Sequence, residues 1–186
     1  MNKQRQEILR VLLCGWVAAV CGVTANAITI DDFQVNQALA TAPGASTVDH
    51  ASILGGERDV QVTLIGGAGP ISAEVKLGYS EHILSSASTG STIMTWDGND
   101  NDASTLAFGL GPVNLTTGGD NAFLLGISSL TGTPTITLEV FTSAANWSTF
   151  TLVNPTVAPT HLRIPYSAFS VGGGGGPASP TSRLSA

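Results

Sequence analysis

The chain has 186 residues, only 11% of them charged, and a formal net charge of −6 at neutral pH. An acidic chain without a basic stripe lacks the electrostatic footprint of a nucleic-acid binder or of a protein drawn to anionic lipid. The composition combines 42% apolar residues and 22 glycines with few charges and abundant Ser and Thr. It favours short strands with glycine turns over helices.

The first 27 residues read as an export signal. Lys3, Arg5 and Arg10 form a positive start. Val11 to Val23 is an apolar run shorter than the ~20 residues a bilayer span requires. Ala25-Asn26-Ala27 supplies a small-x-small cleavage site. Cys14 and Cys21 both fall inside this segment, so the chain from Ile28 onward has no disulfide, thiolate metal site or cysteine nucleophile. The leader also holds three of the seven basic residues, so its removal leaves the body more acidic and without a transmembrane segment.

Ile28 to Val35 reads as a first strand whose phase slips at Asp31-Asp32, where a bulge is expected. Ala38 to Ser46 reads as a small-residue loop, and Thr47 to Leu54 as a short strand entering the Gly55-Gly56 turn. Glu57 to Leu64 alternates, with Arg58, Val60, Val62 and Leu64 on one face and Glu57, Asp59, Gln61 and Thr63 on the other. Arg58 thus stands on the apolar face and needs a carboxylate partner, since an unpaired buried charge is costly. Asp120 and Asp97 are the expected partners.

Ile71 to Tyr79 alternates most cleanly and is expected to form an antiparallel hairpin with Glu57–Leu64 across Gly66 to Pro70. His82 to Ser86 is a weaker strand, and Ser91 to Trp96 is apolar enough to be buried on both faces. The acidic loop Asp97 to Asp102 follows, then a short strand at Leu106 to Leu110. Beyond the Gly118-Gly119-Asp120 turn come Ala122 to Ile127, Thr135 to Thr142 (Ile136, Leu138 and Val140 inward) and Trp147 to Val153. Leu162 to Phe169 is the last extended piece, with Pro165 marking an edge or an end. About nine or ten short strands at this spacing predict an all-β antiparallel sandwich of jelly-roll type. From Gly172 the β pattern is lost, so the boundaries are 1–27 signal, 28–171 sandwich and 172–186 disordered tail.

The ordered series "IDDF", "ILGGERDV", "WDG", "AFLLGI" and "IPYSAF" resembles a group of exported bacterial proteins, many of which carry a PEP-CTERM sorting tail. The resemblance covers Ile28 to Phe169. It implies a jelly-roll body like that of carbohydrate-binding modules, in which an early acidic residue such as Asp31 or Asp32 holds a structural Ca²⁺. The sorting tail is missing here, as are one or two strands expected after Tyr166-Ser167-Ala168-Phe169. The codons of the run Gly172 to Gly176 all begin GG, and the expectation is that the reading frame has slipped there and the true frame continues into the missing strands.

The loop residues Asp97, Asn99, Asp100 and Asp102 offer the hard oxygen donors that Ca²⁺ prefers, although EF-hand spacing fails. They compete with a plain solvated turn built of turn-favouring residues. Trp96, Trp147, Tyr79 and Tyr166 are candidate platforms for sugar rings, against the simpler reading that they fill the core. His50, His82 and His161 form no tight metal-binding pattern, and no G-x-S-x-G elbow supports a Ser-His-Asp triad in this Ser-rich chain. The expectation is a non-enzymatic exported protein of the cell envelope or extracellular matrix, structural or weakly binding an extracellular polysaccharide. The rival is a secreted carbohydrate-active hydrolase using loop carboxylates such as Asp97 with Asp100 or Asp102.

Overall fold

The computed structural model describes residues 7–12, 28–76, 78–110, 113–116, 119–129, 132–153, 155 and 160–173. They form an all-β sandwich. The strands are β1 (Glu7–Leu12), β2 (Gln37–Thr41), β3 (Gly44–Asp49), β4 (Glu57–Gly67), β5 (Ile71–Lys76) and β6 (Tyr79–Leu84). They continue with β7 (Ser88–Thr95), β8 (Ala122–Ser129), β9 (Thr135–Ser143), β10 (Asn146–Val153), β11 (Thr160–Pro165) and β12 (Ser170–Gly173).

One layer is a six-stranded sheet in the order β11-β8-β1-β6-β5-β2; two three-stranded sheets, β3-β4-β7 and β12-β10-β9, complete the sandwich. Neighbours pair antiparallel throughout. Each small sheet closes its own core. Val60 and Val62 of β4 pack with Ala40, Ile71 and Ala73 of β2 and β5. Leu125, Ile127, Ile164 and Phe169 form the second core, against which Ile136, Leu138, Val140 and Phe150 of β9 and β10 pack. The strict alternation of Ile71, Ala73 and Val75, each at most 1% exposed, places β5 on the first core in the manner its sequence dictates.

The connections differ from the sequence expectation in several places. Glu57–Leu64 and Ile71–Tyr79 are not a hairpin: β4 pairs with β3 and β7, and β5 pairs with β2 and β6. The Gly66 to Pro70 link instead carries the chain from one layer to the other. Its Gly67 has φ 85° and sits so close to the Ala87 carbonyl that a Cβ would lie 1.9 Å from that oxygen. The hairpin is β5–β6, turned at Gly78 with φ 87°.

Ile28 to Val35 is not a strand either. Asp31 Oδ1 accepts the Phe33 amide at 2.8 Å and Asp32 Oδ1 accepts the Gln34 amide at 3.0 Å. These side-chain turns draw the backbone away from sheet geometry, with Phe33 at φ 55°. The stretch expected to be a loop, Ala38 to Ser46, contributes to β2 and β3, and Leu106 to Leu110 is irregular.

After β11 ends at Pro165, a 3₁₀ turn at Tyr166–Ala168 leads into β12. That strand runs to Gly173, two residues past the boundary expected at 171, and pairs with β10. Residues 174–186 of the expected tail lie outside the described residues. So do 1–6 and 13–27 of the expected export signal, whereas its residues 7–12 form β1. No helix among the described residues is long and apolar enough to cross a membrane.

Candidate metal centre

Strand β4 opens with three consecutive charged side chains, Glu57, Arg58 and Asp59, exposed by only 0%, 0% and 2%. Alternation sends Arg58 to one side and the two acids to the other. The two sides solve the burial of charge differently.

On the Arg58 side each guanidinium nitrogen finds an acceptor. Nη1 donates to Asp31 Oδ2 at 2.7 Å, Nε to Gln37 Oε1 at 2.7 Å and Nη2 to the Val35 carbonyl at 2.6 Å. The guanidinium also lies 5.4 Å from the centre of the Phe33 ring. Gln37 is held in turn, donating to the Ser46 carbonyl at 2.7 Å and the Arg58 carbonyl at 3.2 Å. Asp31 accepts Trp96 Nε1 at 3.0 Å as well. The partner of Arg58 is therefore Asp31, not Asp120 or Asp97. The turn at Asp31 folds the segment that precedes β2 over the start of β4, a contact that strand alternation does not encode.

On the other side, Glu57 accepts the backbone N–H of Asp100 at 3.0 Å and that of Asn101 at 3.1 Å, pinning the acidic loop to β4. Asp97, 4% exposed, accepts the Ala107 amide on Oδ2 at 2.6 Å, but its Oδ1 has no partner. Neither carboxylate oxygen of Asp59 accepts from an N–H or hydroxyl donor; the Glu57 carboxyl can bond to it only through a shared proton. Carboxylate oxygens of Glu57, Asp59 and Asp100 lie within 4.8 Å of one another. Burial, followed by the carboxylate of Glu57 and the charges of Asp97 and Asp100, pushes the Asp59 carboxyl up to about 8. A buried acid among acids is relieved either by a proton or by a cation, and this all-oxygen cluster could hold a metal ion.

Of the ligands expected from sequence, Asp100 belongs to this cluster, and the charge of the neighbouring Asp97 acts on Asp59. Asp31 is committed to Arg58 and Asp32 to its turn. Asn99 and Asp102 are exposed. Asn99 accepts from Asn101 Nδ2 at 3.2 Å. Asp102 accepts the Ser104 hydroxyl and amide, which hold its carboxyl below the usual range. Strand alternation places Glu57 and Asp59 on the face opposite Arg58 and says nothing of what covers that face. The loop that covers their face is what alternation cannot reveal; the run of charges just before an apolar strand was the available signal.

The candidate aromatic residues do not form one platform. Trp96 is tied to Asp31, and Trp147 stacks on Phe141 with ring centres 5.8 Å apart. Tyr166 is buried and donates its hydroxyl to the Leu115 carbonyl at 2.8 Å. Tyr79 is half-buried at the start of β6. An open polar groove does lie beside the acidic loop, lined by Ala45 to Thr47 of β3 and by Asn101 to Ser104. No family model, curated protein or solved structure matches the chain.

Proposed function

We propose that the chain is an exported, non-enzymatic β-sandwich protein of the cell envelope or extracellular matrix, structural or weakly glycan-binding. In this reading a Ca²⁺ ion held by Glu57, Asp59 and Asp100 fastens the Asp97–Asp102 loop to β4. The observation that carries the proposal is Asp59, a carboxylate 2% exposed with no N–H or hydroxyl donor to either oxygen. Such a group calls for a compensating charge. The donors are carboxylates, without imidazole or thiolate, which suits a hard cation. Ca²⁺ accepts several carboxylates at flexible geometry, whereas Mg²⁺ retains waters and takes one or two. The hydroxyl-, amide- and carboxylate-lined groove at Ser46, Thr47 and Asn101 to Ser104 is where a sugar chain would lie, its shape set by the loop the ion anchors.

The test is thermal unfolding of chelator-stripped protein. Millimolar Ca²⁺ raises the midpoint by mass action, and more than equal Mg²⁺ does; Asp59→Asn abolishes the response. An unchanged midpoint at millimolar Ca²⁺ removes the ion from the proposal. A glycan array probed with and without EDTA reads the sugar-binding part separately.

A further inference from the structure

Strand β1 occupies an unusual place. It pairs with β6 through Glu7↔Leu84 to Val11↔Ser80, and with β8 through Arg10↔Ser129, Val11↔Ile127 and Leu12↔Gly126. It is the strand that joins β2-β5-β6, on the first core, to β8-β11, on the second, in one sheet. Yet Glu7–Leu12 lies inside the segment whose sequence reads as an export signal. Cleavage after Ala27 would remove it. Ser80–Leu84 and Gly126–Ser129 would then face each other across a gap one strand wide, about 10 Å between strand axes. Two open edges flanking hydrophobic cores do not persist in water without pairing.

We propose that the gap between β6 and β8 is a strand-acceptor site. In the processed chain it takes an extended segment of a different protein, antiparallel to both neighbours, with alternating apolar residues and a basic residue opposite Glu81. The proposal rests on the export reading. The basic residue follows from the register. Arg10 stands opposite Glu81, which is 9% exposed and in turn stands opposite Glu74 of β5. Two acids paired across strands favour a positive neighbour. The foreign origin follows from the sequence. Arg58, Lys76 and Arg163, the basic residues of the other alternating stretches, already lie in β4, β5 and β11. A second copy therefore has no spare segment of this kind except its own Glu7–Leu12. Main-chain pairing supplies affinity and the alternate side chains supply selectivity, as in strand addition generally.

The test starts from the folded full-length chain carrying a site-specific protease sequence after Ala27. After cleavage the N-terminal piece stays bound, and a labelled peptide of residues 6–13 displaces it saturably. The same peptide with Leu9→Pro does not bind, because proline removes a ladder donor. With Arg10→Glu it binds at least about tenfold more weakly. If the N-terminal piece leaves at once while the Ser80–Leu84 amides keep their protection from hydrogen exchange, the acceptor site is overturned. Dimerisation on cleavage overturns the assignment to a foreign strand. N-terminal sequencing of the exported protein reads the processing step independently. An intact N-terminus there overturns export cleavage, while the peptide exchange still decides whether the gap accepts a strand.

Discussion

Arg58 and Asp31, 27 residues apart in sequence, meet through Nη1 and Oδ2 at 2.7 Å with both side chains at most 1% exposed. The pair is embedded in further hydrogen bonds to Gln37, Val35, Phe33 and Trp96. The desolvation of both charges is thus offset on all sides. It also staples the irregular segment before β2 to β4, a link that neither sheet supplies.

Truncating Arg58 strands a buried carboxylate. Arg58→Ala is expected to cost about 3–5 kcal/mol, the range for breaking a buried pair from one side. Urea denaturation checks it. A loss below about 1 kcal/mol, typical of exposed pairs, contradicts the buried-pin account.

The Arg58 relationship also shows what the sequence could disclose. That a guanidinium on the apolar face of an alternating strand needs an acid was legible, because alternation fixes the face and burial fixes the need. Which acid was not legible: Asp31 reaches Arg58 only because Asx turns at Asp31 and Asp32 break the expected first strand. The same limit hid the acidic cluster of Glu57, Asp59 and Asp100. Period-two reasoning put Glu57 and Asp59 opposite the apolar face without a cover, since it sees one strand at a time and not the 97–110 loop laid across it. Strand positions with clean alternation, such as Ile71 to Val75, needed no such tertiary information. Pairing did: local hairpin logic joined β4 to β5, whereas each packs across the core from the other.

Asp59 sets a pH dependence. Its folded value of about 8 lies above its ordinary 3.8, so between those values the native state binds more protons than the unfolded state. Stability of the metal-free protein is then highest at low pH with respect to this group and falls as pH rises toward 8. Glu57, Asp97 and Asp100 surround it. Asp59→Asn, which stays neutral, is expected to flatten this slope in denaturation midpoints measured from pH 5 to 8.5 in EDTA (about the window between the two values). A slope unchanged in the variant would assign it to other groups.

Glu57 should act on the loop and not on β4 alone. Glu57→Ala leaves the amides of Asp100 and Asn101 without their acceptor. Hydrogen bonds to charged groups contribute about 1.5–3 kcal/mol, so a loss of that size is expected. Faster hydrogen exchange should be concentrated at residues 100 and 101. Exchange rising evenly along β4 and β7 instead would mean the strand, and not the loop, depends on Glu57.

His82 supplies the opposite sign. Half-buried on β6, with Thr92 Oγ1 against its Nδ1, it is held by burial below its ordinary 6.5. The unfolded chain therefore takes up the proton first, and stability attributable to His82 falls as pH drops below 6.5. His82→Gln should reduce the loss of stability on going from about pH 7 to pH 5, the range over which an ordinary imidazole titrates. An unaltered acid limb in thermal unfolding would show that carboxylates alone govern it.

The end of β12 tests the second core from its edge. Gly172 and Gly173 lie against the Trp147 indole: a Cβ at Gly172 would fall 2.1 Å from Nε1, and one at Gly173 2.1 Å from Cη2. Trp147 has little freedom to yield, because the Phe141 ring is stacked on it and is itself edge-on to Phe108 at 6.0 Å between centres. Gly173→Ala should therefore cost about 1–3 kcal/mol, the range for overpacking. It should also alter the near-ultraviolet circular dichroism of the tryptophan. Gly66→Ala is the matched control, since a Cβ there meets nothing within 4 Å. Relief of unfolded-chain entropy makes that change neutral or slightly stabilising. If both alanine variants unfold at the wild-type midpoint with an unchanged aromatic spectrum, β12 does not pack on Trp147, and the chain beyond Phe169 contributes nothing to this core.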